Sequence, residues 1–291
     1  MKVIISIPAY NEERTIGKVI DEINSIMSKT NYNYKIILVD DGSSDKTVKI
    51  AKKQGCIVYS NKYNLGLIKT FKIEMEKCLE LKADIIVHTD ADGQYLGEDI
   101  PKLIKKIYEG YDLVIGSRFI FKNRNLPFLK NIGNKAFAFV FSNIMKKKIT
   151  DTTSGFRAFT KDIAKIVLIN DFTYTQEQLI RAYKMNYKIG EIAIKTRKTR
   201  KSRLFKHPLQ YAFKAWVNIF RIYRDYKPLN FFGVIGLSLL ILGILIGFYF
   251  TYLHLTTGIK GHIGLLFLML LLIFSGIQIV LFGFLADMNK K

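Results

Sequence analysis

The chain has 291 residues, and its 45 Lys and Arg against 24 Asp and Glu give a formal net charge of +21, while 49% of the residues are hydrophobic. This length corresponds to one large or two modest domains. Such high charge together with such high apolar content argues against a single soluble domain. The distribution of the two along the chain is therefore informative.

The first 115 residues alternate between two apolar patterns. Runs rich in β-branched residues predict strands, and apolar residues at helical spacing predict helices. The predicted strands are 3–9, 35–40, 56–60, 83–89 and 111–115. The predicted helices are 13–27, one that has Ser44 as its N-cap and ends at Gly55, 67–81, and one that runs from Pro101 through Tyr108. This alternation predicts an α/β fold with a doubly wound, mostly parallel sheet, whose site lies along the carboxyl ends of the strands.

The fourth predicted strand ends in two carboxylates and a glycine, which are Asp90, Asp92 and Gly93. If the loop bends at the glycine, both carboxylates can point toward one position and hold Mg²⁺ or Mn²⁺ together with substrate phosphates. The alternative is a solvated turn, because Asp and Gly are common in turns. Polar residues at the ends of the other strands favour the metal site.

A dinucleotide-binding fold would have a glycine-rich turn after the first strand, so that backbone N–H groups receive the pyrophosphate. Here the corresponding turn has no glycine and contains Glu12 and Glu13. If a nucleotide binds, the charge of its diphosphate must then be neutralised elsewhere, by a divalent ion on Asp90 and Asp92 with help from basic side chains.

Two stretches near the C-terminus, 231–253 and 263–286, contain no charged residue. Each exceeds the about 20 residues that a helix needs to cross a hydrocarbon core. A buried helix pair of a soluble protein is the alternative, but neither stretch has a polar face. Basic residues before the first stretch and after the second predict that both ends are cytoplasmic. The N-terminus does not resemble a secretory signal.

Two further segments mix apolar and basic residues. Residues 125–148 and 205–230 are predicted to be amphipathic helices that lie in an anionic membrane surface. Core helices with charged outer faces are the alternative. The predicted organisation is therefore a cytoplasmic catalytic domain over 1–204, a juxtamembrane helix over 205–230 and two transmembrane helices over 231–286.

Four motifs together resemble the family 2 glycosyltransferases of GT-A fold, and in particular the dolichyl- and undecaprenyl-phosphate sugar synthases. The motifs are 7–13 (IPAYNEE), 39–43 (VDDGS), 90–94 (DADGQ) and 151–157 (DTTSGFR). The resemblance extends through both apolar stretches. It implies that Pro8, Tyr10, Glu12 and Asp40 hold the nucleoside, and that Asp90, Asp92 and Gln94 hold the metal ion and the diphosphate.

The sequence departs from the family pattern in two places. Residues Leu67 and Ile68 follow Gly66 where the family usually has Lys and a small residue, so no phosphate contact is assigned there. The late family motif, an Arg followed by Ser-Lys-Leu, is present as Arg197 and 202–204, with Arg203 at the Lys position. Arg keeps the charge but changes its geometry.

The implied reaction is inverting transfer of a hexose from a GDP- or UDP-sugar to a polyprenyl phosphate. The acceptor is already ionised, because a phosphomonoester has a second pKa of about 6, so no strong general base is needed. Catalysis then depends on holding two anions together and on a divalent ion at the leaving group. The candidate side chains are Asp92, Arg118 and Glu177 for catalysis, Arg197 and Arg203 for the nucleotide sugar, and Arg118, Lys130 and Asn134 for the lipid phosphate.

Alternatives remain at this stage. Glu177 also suits a carboxylate at a helix N-terminus, and each basic residue also suits a solvated surface. The acceptor could instead be a glycolipid or a polysaccharide, or the chain could bind a nucleotide sugar without turnover. No nucleic-acid partner is expected, because the basic residues concentrate near the predicted membrane surface without an aromatic platform.

Overall fold

The computed structural model describes residues 1–120, 128–168, 174–197, 217, 220–221, 223–258 and 262–289, with the backbone alone for 128–134 and 257. The chain divides into two compact units, Met1–Lys206 and His207–Lys291. The strands of the first unit are β1 Lys2–Ala9, β2 Asn33–Asp40, β3 Ile57–Ser60, β4 Ile85–His88, β5 Leu113–Ser117, β6 Arg157–Thr160 and β7 Ile189–Ala193. Its helices are α1 Ile16–Met27, α2 Thr47–Lys53, α3 Leu67–Glu80, α4 Ile100–Tyr108, α5 Phe128–Met145, α6 Lys161–Ala164 and α7 Tyr174–Lys184.

The seven strands form one sheet in the order β3-β2-β1-β4-β6-β5-β7. All neighbouring pairs are parallel except those of β6, which runs antiparallel to β4 and β5. The predicted α/β fold with a mostly parallel sheet is confirmed. The prediction did not include β6 and β7, because their apolar runs are short and β6 begins with an arginine.

Helices cover both faces of the sheet, as the alternation of side chains along β1 shows. Val3, Ile5 and Ile7 belong to a buried cluster that also contains residues of α1 and α4. Ser6, which points to the opposite face, donates a hydrogen bond to Glu74 of α3. Strand β1 is therefore buried on both sides, in agreement with its apolar sequence.

The prediction of Ser44 as a helix N-cap is wrong. Helix α2 begins at Thr47, with Lys46 in the N-cap position. The Thr47 backbone N–H donates to Asp45 Oδ1 at 2.9 Å, whereas the Ser44 backbone N–H donates to Asn11 Oδ1 at 2.8 Å. Ser44 thus connects two loops instead of starting the helix. Strand β5 also begins two residues later than predicted.

The second unit contains two long apolar helices, α8 Pro228–Thr257 and α9 Ile263–Met288. They pack closely at Gly236 and Gly276. A Cβ added to Gly236 would lie 2.7 Å from the Gly276 carbonyl oxygen, and one added to Gly276 would lie 2.8 Å from the Gly236 carbonyl oxygen. Only 11% and 6% of their most apolar windows are buried. A core helix of a soluble protein is mostly buried, so this exposure supports two candidate membrane spans.

The two predicted amphipathic segments are described in part. In α5, Phe137, Phe141 and Met145 are buried, while Phe139 is 73% exposed. One face of the described part of α5 thus packs within the first unit, as the core-helix alternative expects, and contact of the other face with a membrane stays a prediction. Of the stripe predicted within 205–230, Phe220 and Tyr223 lie in the described residues. The domain boundaries predicted at 204 and 230 stay predictions.

We expect Ile20→Ala to lower the free energy of unfolding of the first unit by about 2–5 kcal/mol, because truncating a buried isoleucine leaves a cavity. Ile20 is 0% exposed in the cluster between α1 and the sheet. Ser25→Ala is the matched control, because Ser25 is exposed on the same helix. Thermal and denaturant unfolding would measure both variants, and equal stability of the two would contradict the assignment of this helix face.

Candidate active site

The loop after β4 carries Asp90 and Asp92 and bends at Gly93, whose φ of 73° is in the left-handed region that favours glycine. Asp92 Oδ1 accepts a hydrogen bond from the Gln94 backbone N–H at 2.9 Å, which closes the loop on itself. Both carboxylates are half-buried. The bend predicted at Gly93 is therefore present.

Asp90 lies in surroundings that favour a nearby cation. Burial raises the pKa of Asp90 to about 6, and the charge of Asp92 acts in the same direction. A divalent ion next to both carboxylates would offset this cost, because an opposite charge stabilises the ionised form. Among the described residues, no group of three or more His, Cys, Asp or Glu side chains is arranged to hold a metal ion. An ion here would therefore take its remaining ligands from Gln94, water and substrate.

Space beside Asp90 depends on Gly155. A Cβ atom at this position would lie 3.2 Å from Asp90 Oδ1 and 3.1 Å from Tyr174 Oη. The absence of a side chain thus leaves room next to a carboxylate oxygen. Two neighbouring carboxylates, with no side chain at position 155 to crowd Asp90, suit a small hard cation of the Mg²⁺ or Mn²⁺ type, which takes oxygen ligands.

The loops after β1 and β2 are joined by side-chain hydrogen bonds to the backbone. Asn11 has a φ of 53°, its backbone N–H donates to Ser43 Oγ at 2.8 Å, and its Oδ1 accepts from Ser44. The Glu12 backbone N–H donates to Thr47 Oγ1 at 2.8 Å. Together these contacts fix the conformation of the turn after β1, which contains no glycine.

The four residues predicted to hold the nucleoside lie on these two strand ends. Ala9 of β1 pairs in register with Asp40 of β2, which brings Pro8, Tyr10 and Glu12 next to Asp40. Asp40 accepts from the Ser43 backbone N–H and is 2% exposed, whereas Tyr10 is 42% exposed. The structure therefore brings these residues together, and their contact with a nucleoside stays a prediction.

A cleft of about 880 Å³ connects the turn after β1 to the loop after β4. Its lining comes from residues 11–15, from Lys18, Val19 and Glu22, from Ser44 and Asp45 after β2, from Asp92 and Gly93, and from Arg197. This volume lies in the range of small-molecule sites, about 300–1,000 Å³. The cleft gives a ligand access to Asp92.

Arg197 lies at this cleft but pairs with a carboxylate. Its guanidinium donates to both oxygens of Glu22, at 2.8 and 3.0 Å, and its backbone N–H donates to the Gln94 carbonyl oxygen at 2.9 Å. The Arg197 side chain is 49% exposed. An exposed pair of this kind contributes about 0–1 kcal/mol, so its contact with a nucleotide stays a prediction that requires exchange of Glu22.

Arg118 is held by the segment that follows α5. Its Nε donates to Asp151 Oδ2 at 2.7 Å, and its Nη2 donates to Asp151 Oδ1 at 3.0 Å and to Thr153 Oγ1 at 2.8 Å. The Arg118 side chain is 13% exposed and that of Asp151 is 0% exposed. This bidentate pair fixes the guanidinium after β5.

Residues 4–168 match the family described as glycosyl transferase family 2. The chain belongs to glycosyl transferase family 2. The recognition of this family from the four sequence motifs is thereby confirmed, as is the assignment of the chain as a glycosyltransferase.

Two relatives within this family have established names. The chain is 34% identical over 221 residues to the UDP-N-acetylglucosamine–dolichyl-phosphate N-acetylglucosaminyltransferase of Methanococcus voltae, which covers 67% of this chain and 85% of that protein. It is 30% identical over 286 residues to the dolichol-phosphate mannosyltransferase of Pyrococcus furiosus, which covers 91% of this chain and 76% of that protein.

Solved structures support the fold. Glucosyl-3-phosphoglycerate synthase from Mycobacterium tuberculosis, in complex with Mn²⁺, UDP-glucose and phosphoglyceric acid, has a TM-score of 0.60 with this chain at 19% identity. The similarity covers 75% of this chain and 79% of that chain. It supports the GT-A-like fold of this glycosyltransferase.

The other predicted site residues have less structural support. Glu177 is in the first turn of α7, the position that its alternative role as a carboxylate at a helix N-terminus expects, and it also accepts from Arg181 Nε at 2.7 Å. Lys130 and Asn134 lie on α5 where the backbone alone is described, and Arg203 lies outside the described residues. Roles for these four residues in the glycosyltransferase stay predictions.

Sequence reasoning missed a set of fully buried polar residues behind the Asp90 loop. Glu74, His88 and Arg157 are each 0% exposed, and Tyr174 is 5% exposed. Two signals were available: His88 is a polar residue in the apolar run that leads to Asp90, and Arg157 ends the motif 151–157. The partners of His88 come from α3, β6 and α7, and only the three-dimensional structure identifies them.

We expect Asp151→Ala to lower the free energy of unfolding by about 3–5 kcal/mol, because it leaves the largely buried Arg118 without its carboxylate. Asp162→Ala is the matched control, since Asp162 pairs with Lys165 at the surface, with 50% and 59% of the side chains exposed. The control should cost less than about 1 kcal/mol. Denaturant unfolding would compare the two, and similar losses would contradict a special role for the Arg118–Asp151 pair.

Proposed function

We propose that this protein transfers a hexose from a nucleotide sugar, GDP- or UDP-linked, to a polyprenyl phosphate such as dolichyl or undecaprenyl phosphate, with inversion at the anomeric carbon. The observation that carries the proposal is the pair Asp90 and Asp92 at the carboxyl end of β4, beside an open cleft, in a chain with two candidate membrane spans. The names of the two relatives described above, one a dolichyl-phosphate and one a dolichol-phosphate transferase, support it.

On the donor side, Asp90, Asp92 and Gln94 would hold Mg²⁺ or Mn²⁺. A bound divalent ion supplies positive charge that stabilises the leaving diphosphate. The nucleoside would lie against Pro8, Tyr10, Glu12 and Asp40. The hydrogen bonds between the loops after β1 and β2 preorganise this surface, so little ordering is needed when the donor binds.

On the acceptor side, a phosphate oxygen of the lipid attacks the anomeric carbon, and the bond from that carbon to the diphosphate oxygen breaks. The phosphate is ionised near neutral pH, so no side chain has to remove a proton. The protein's task is to hold two anions at reacting distance, for which Arg118, Lys130 and Asn134 are the candidates. Arg118 would contact an anion while it remains bound to Asp151.

The location of the acceptor explains the membrane spans. A polyprenyl phosphate presents its phosphate at the membrane surface, so its transferase gains from a membrane anchor in the same chain. We place the catalytic domain and both termini in the cytoplasm, because basic residues precede α8 and follow α9 in the sequence.

The decisive experiment measures transfer of labelled sugar into lipid that is extracted by organic solvent. Purified full-length protein is incubated with polyprenyl phosphate and a panel of UDP- and GDP-sugars, with and without Mg²⁺ or Mn²⁺. Metal-dependent product with one donor would establish the reaction and identify the sugar. Product only with a glycolipid or polysaccharide acceptor, or nucleotide binding without product, would contradict the proposal.

We expect Asp92→Asn to reduce the transfer rate by a factor of about 100 to 1,000, because loss of a metal ligand removes several kcal/mol of transition-state stabilisation. Asp162→Asn is the control, because Asp162 lies on the surface of α6 and pairs only with Lys165 among the described residues. Initial rates at saturating substrate would compare the variants. Wild-type turnover by Asp92→Asn would refute the metal assignment.

We expect a cysteine in place of His262, between α8 and α9, to react with a membrane-impermeant maleimide in intact cells. A cysteine in place of Met288, near the end of α9, should react only after permeabilisation. The natural Cys56 and Cys78 are buried and provide a low background. Labelling of the Met288 variant alone in intact cells would reverse the proposed orientation.

A further inference from the structure

Three buried polar side chains lie side by side across the middle of the sheet. Ser6 of β1 pairs in register with His88 of β4, and His88 pairs in register with Arg157 of β6. Each of the three is 0% exposed. Burying such groups costs free energy unless they form hydrogen bonds, so this polar row requires partners from the elements that cover it.

Two helices supply these partners. Glu74 Oε2 of α3 accepts from Ser6 Oγ at 3.0 Å and lies 2.8 Å from His88 Nδ1. His88 Nε2 lies 3.0 Å from the hydroxyl oxygen of Tyr174, the first residue of α7. The result is a continuous hydrogen-bonded chain, Ser6–Glu74–His88–Tyr174, that joins two strands and two helices.

Arg157 of β6, at the end of the row opposite Ser6, connects α7 to the sheet by hydrogen bonds. Its Nη1 donates to the Thr175 carbonyl oxygen at 2.9 Å and to Gln178 Oε1 at 3.1 Å, and its Nε donates to the Ser154 carbonyl oxygen. The first two turns of α7, including Tyr174, are therefore held at a fixed position above β4 and β6.

The Tyr174 end of this hydrogen-bonded series lies beside Asp90, in the loop after β4. Tyr174 Oη and Asp90 Oδ1 flank the same small space, because both lie close to the position that a Cβ of Gly155 would occupy, at 3.1 and 3.2 Å. Phe71 stacks on the Tyr174 ring with 4.2 Å between the ring centroids, so the ring has little freedom to turn. The hydroxyl is thus placed beside a carboxylate that the proposed function assigns to the metal ion.

We propose that Tyr174 is a positioning residue for the metal site: its hydroxyl, which His88 holds beside Asp90, limits the space in which the Asp90 carboxylate can turn and so keeps it in the orientation that binds the divalent ion. This inference rests on the proposed function, because it takes Asp90 as a ligand. Groups that orient a metal ligand commonly change metal affinity or activity by about 10- to 100-fold when they are removed. Tyr174 acts here through Asp90 and not on the substrate.

The test is Mn²⁺ binding by the full-length protein, measured from the electron paramagnetic resonance signal of free Mn²⁺. We expect Tyr174→Phe, which removes the hydroxyl and keeps the ring, to raise the Mn²⁺ Kd about tenfold. Tyr34→Phe is the matched control, because it removes a hydroxyl that donates to Asn24 Oδ1 at 3.2 Å, on helix α1. The control should bind Mn²⁺ as the wild type does.

A second variant approaches the same space from the opposite side. Gly155→Ala places a methyl group between the Tyr174 hydroxyl and the Asp90 carboxylate, so it should also raise the Mn²⁺ Kd. Gly17→Ala is its control, since the nearest atom to an added Cβ there is Ile50 Cγ2 at 3.4 Å, an ordinary contact. This variant keeps the test decisive if Tyr174→Phe folds poorly.

Turnover provides an independent readout. For Tyr174→Phe, the Mn²⁺ concentration that gives half-maximal activity should rise, and saturating Mn²⁺ should restore kcat. A reduced thermal midpoint with a Mn²⁺ Kd within about twofold of the wild type in both variants would show a purely structural role and overturn the inference. Weakened Mn²⁺ binding by both variants, even without lipid-linked product from any donor, would support the inference and reject only the proposed reaction. Absence of Mn²⁺ binding by the wild type would overturn both the metal site and the inference.

Discussion

The position of β1 inside the sheet, with a parallel neighbour on each side, determines where the site can form. Parallel pairing with β2 and β4 places the carboxyl ends of all three strands at one edge. The turn after β1 then lies between Asp40 on one side and the Asp90 loop on the other. An antiparallel neighbour would move one of these acidic groups to the opposite edge, and Asp40 and the Asp90 loop would no longer lie on either side of the turn after β1.

Charges buried next to this edge are arranged in two different ways. Asp90 and Asp92 lie together without a basic partner among their described hydrogen bonds, and the raised pKa of Asp90, about 6, reflects this desolvation and repulsion. Arg157 is buried more deeply than these half-buried carboxylates, but carbonyl oxygens and the Gln178 amide oxygen accept from its guanidinium. The first arrangement costs free energy in the absence of a nearby cation, whereas the second is satisfied by the fold alone. The same region thus contains a carboxylate pair without a described basic hydrogen-bond partner and an arginine whose hydrogen bonds are supplied by the protein.

Local sequence patterns predicted the parts of the molecule that depend on neighbouring residues. The strand before Asp90, the bend at Gly93 and the two apolar helices follow from short-range periodicity and from glycine. Contacts between distant residues could not be predicted in this way. Asp151 is 33 residues from Arg118, and Glu22 is 175 residues from Arg197. The row of Ser6, His88 and Arg157 requires knowledge of the strand order, and the antiparallel strand β6 that carries Arg157 interrupts an otherwise parallel pattern.

The two arginines described near the site differ in how readily they can bind an anion. Arg118 is nearly buried with both oxygens of the fully buried Asp151, and separating such a pair leaves an uncompensated charge in a dry environment. Arg197 is half-exposed and pairs with a partly exposed Glu22, an interaction that costs about 1 kcal/mol or less to break. In the proposed reaction, the donor diphosphate carries more charge than one carboxylate and would replace Glu22 at Arg197. Arg118 can stabilise a nearby anion only while its guanidinium remains bound to Asp151. Arg197, which lines the cleft, is therefore the arginine whose carboxylate partner is easily exchanged, whereas Arg118 stays paired with Asp151.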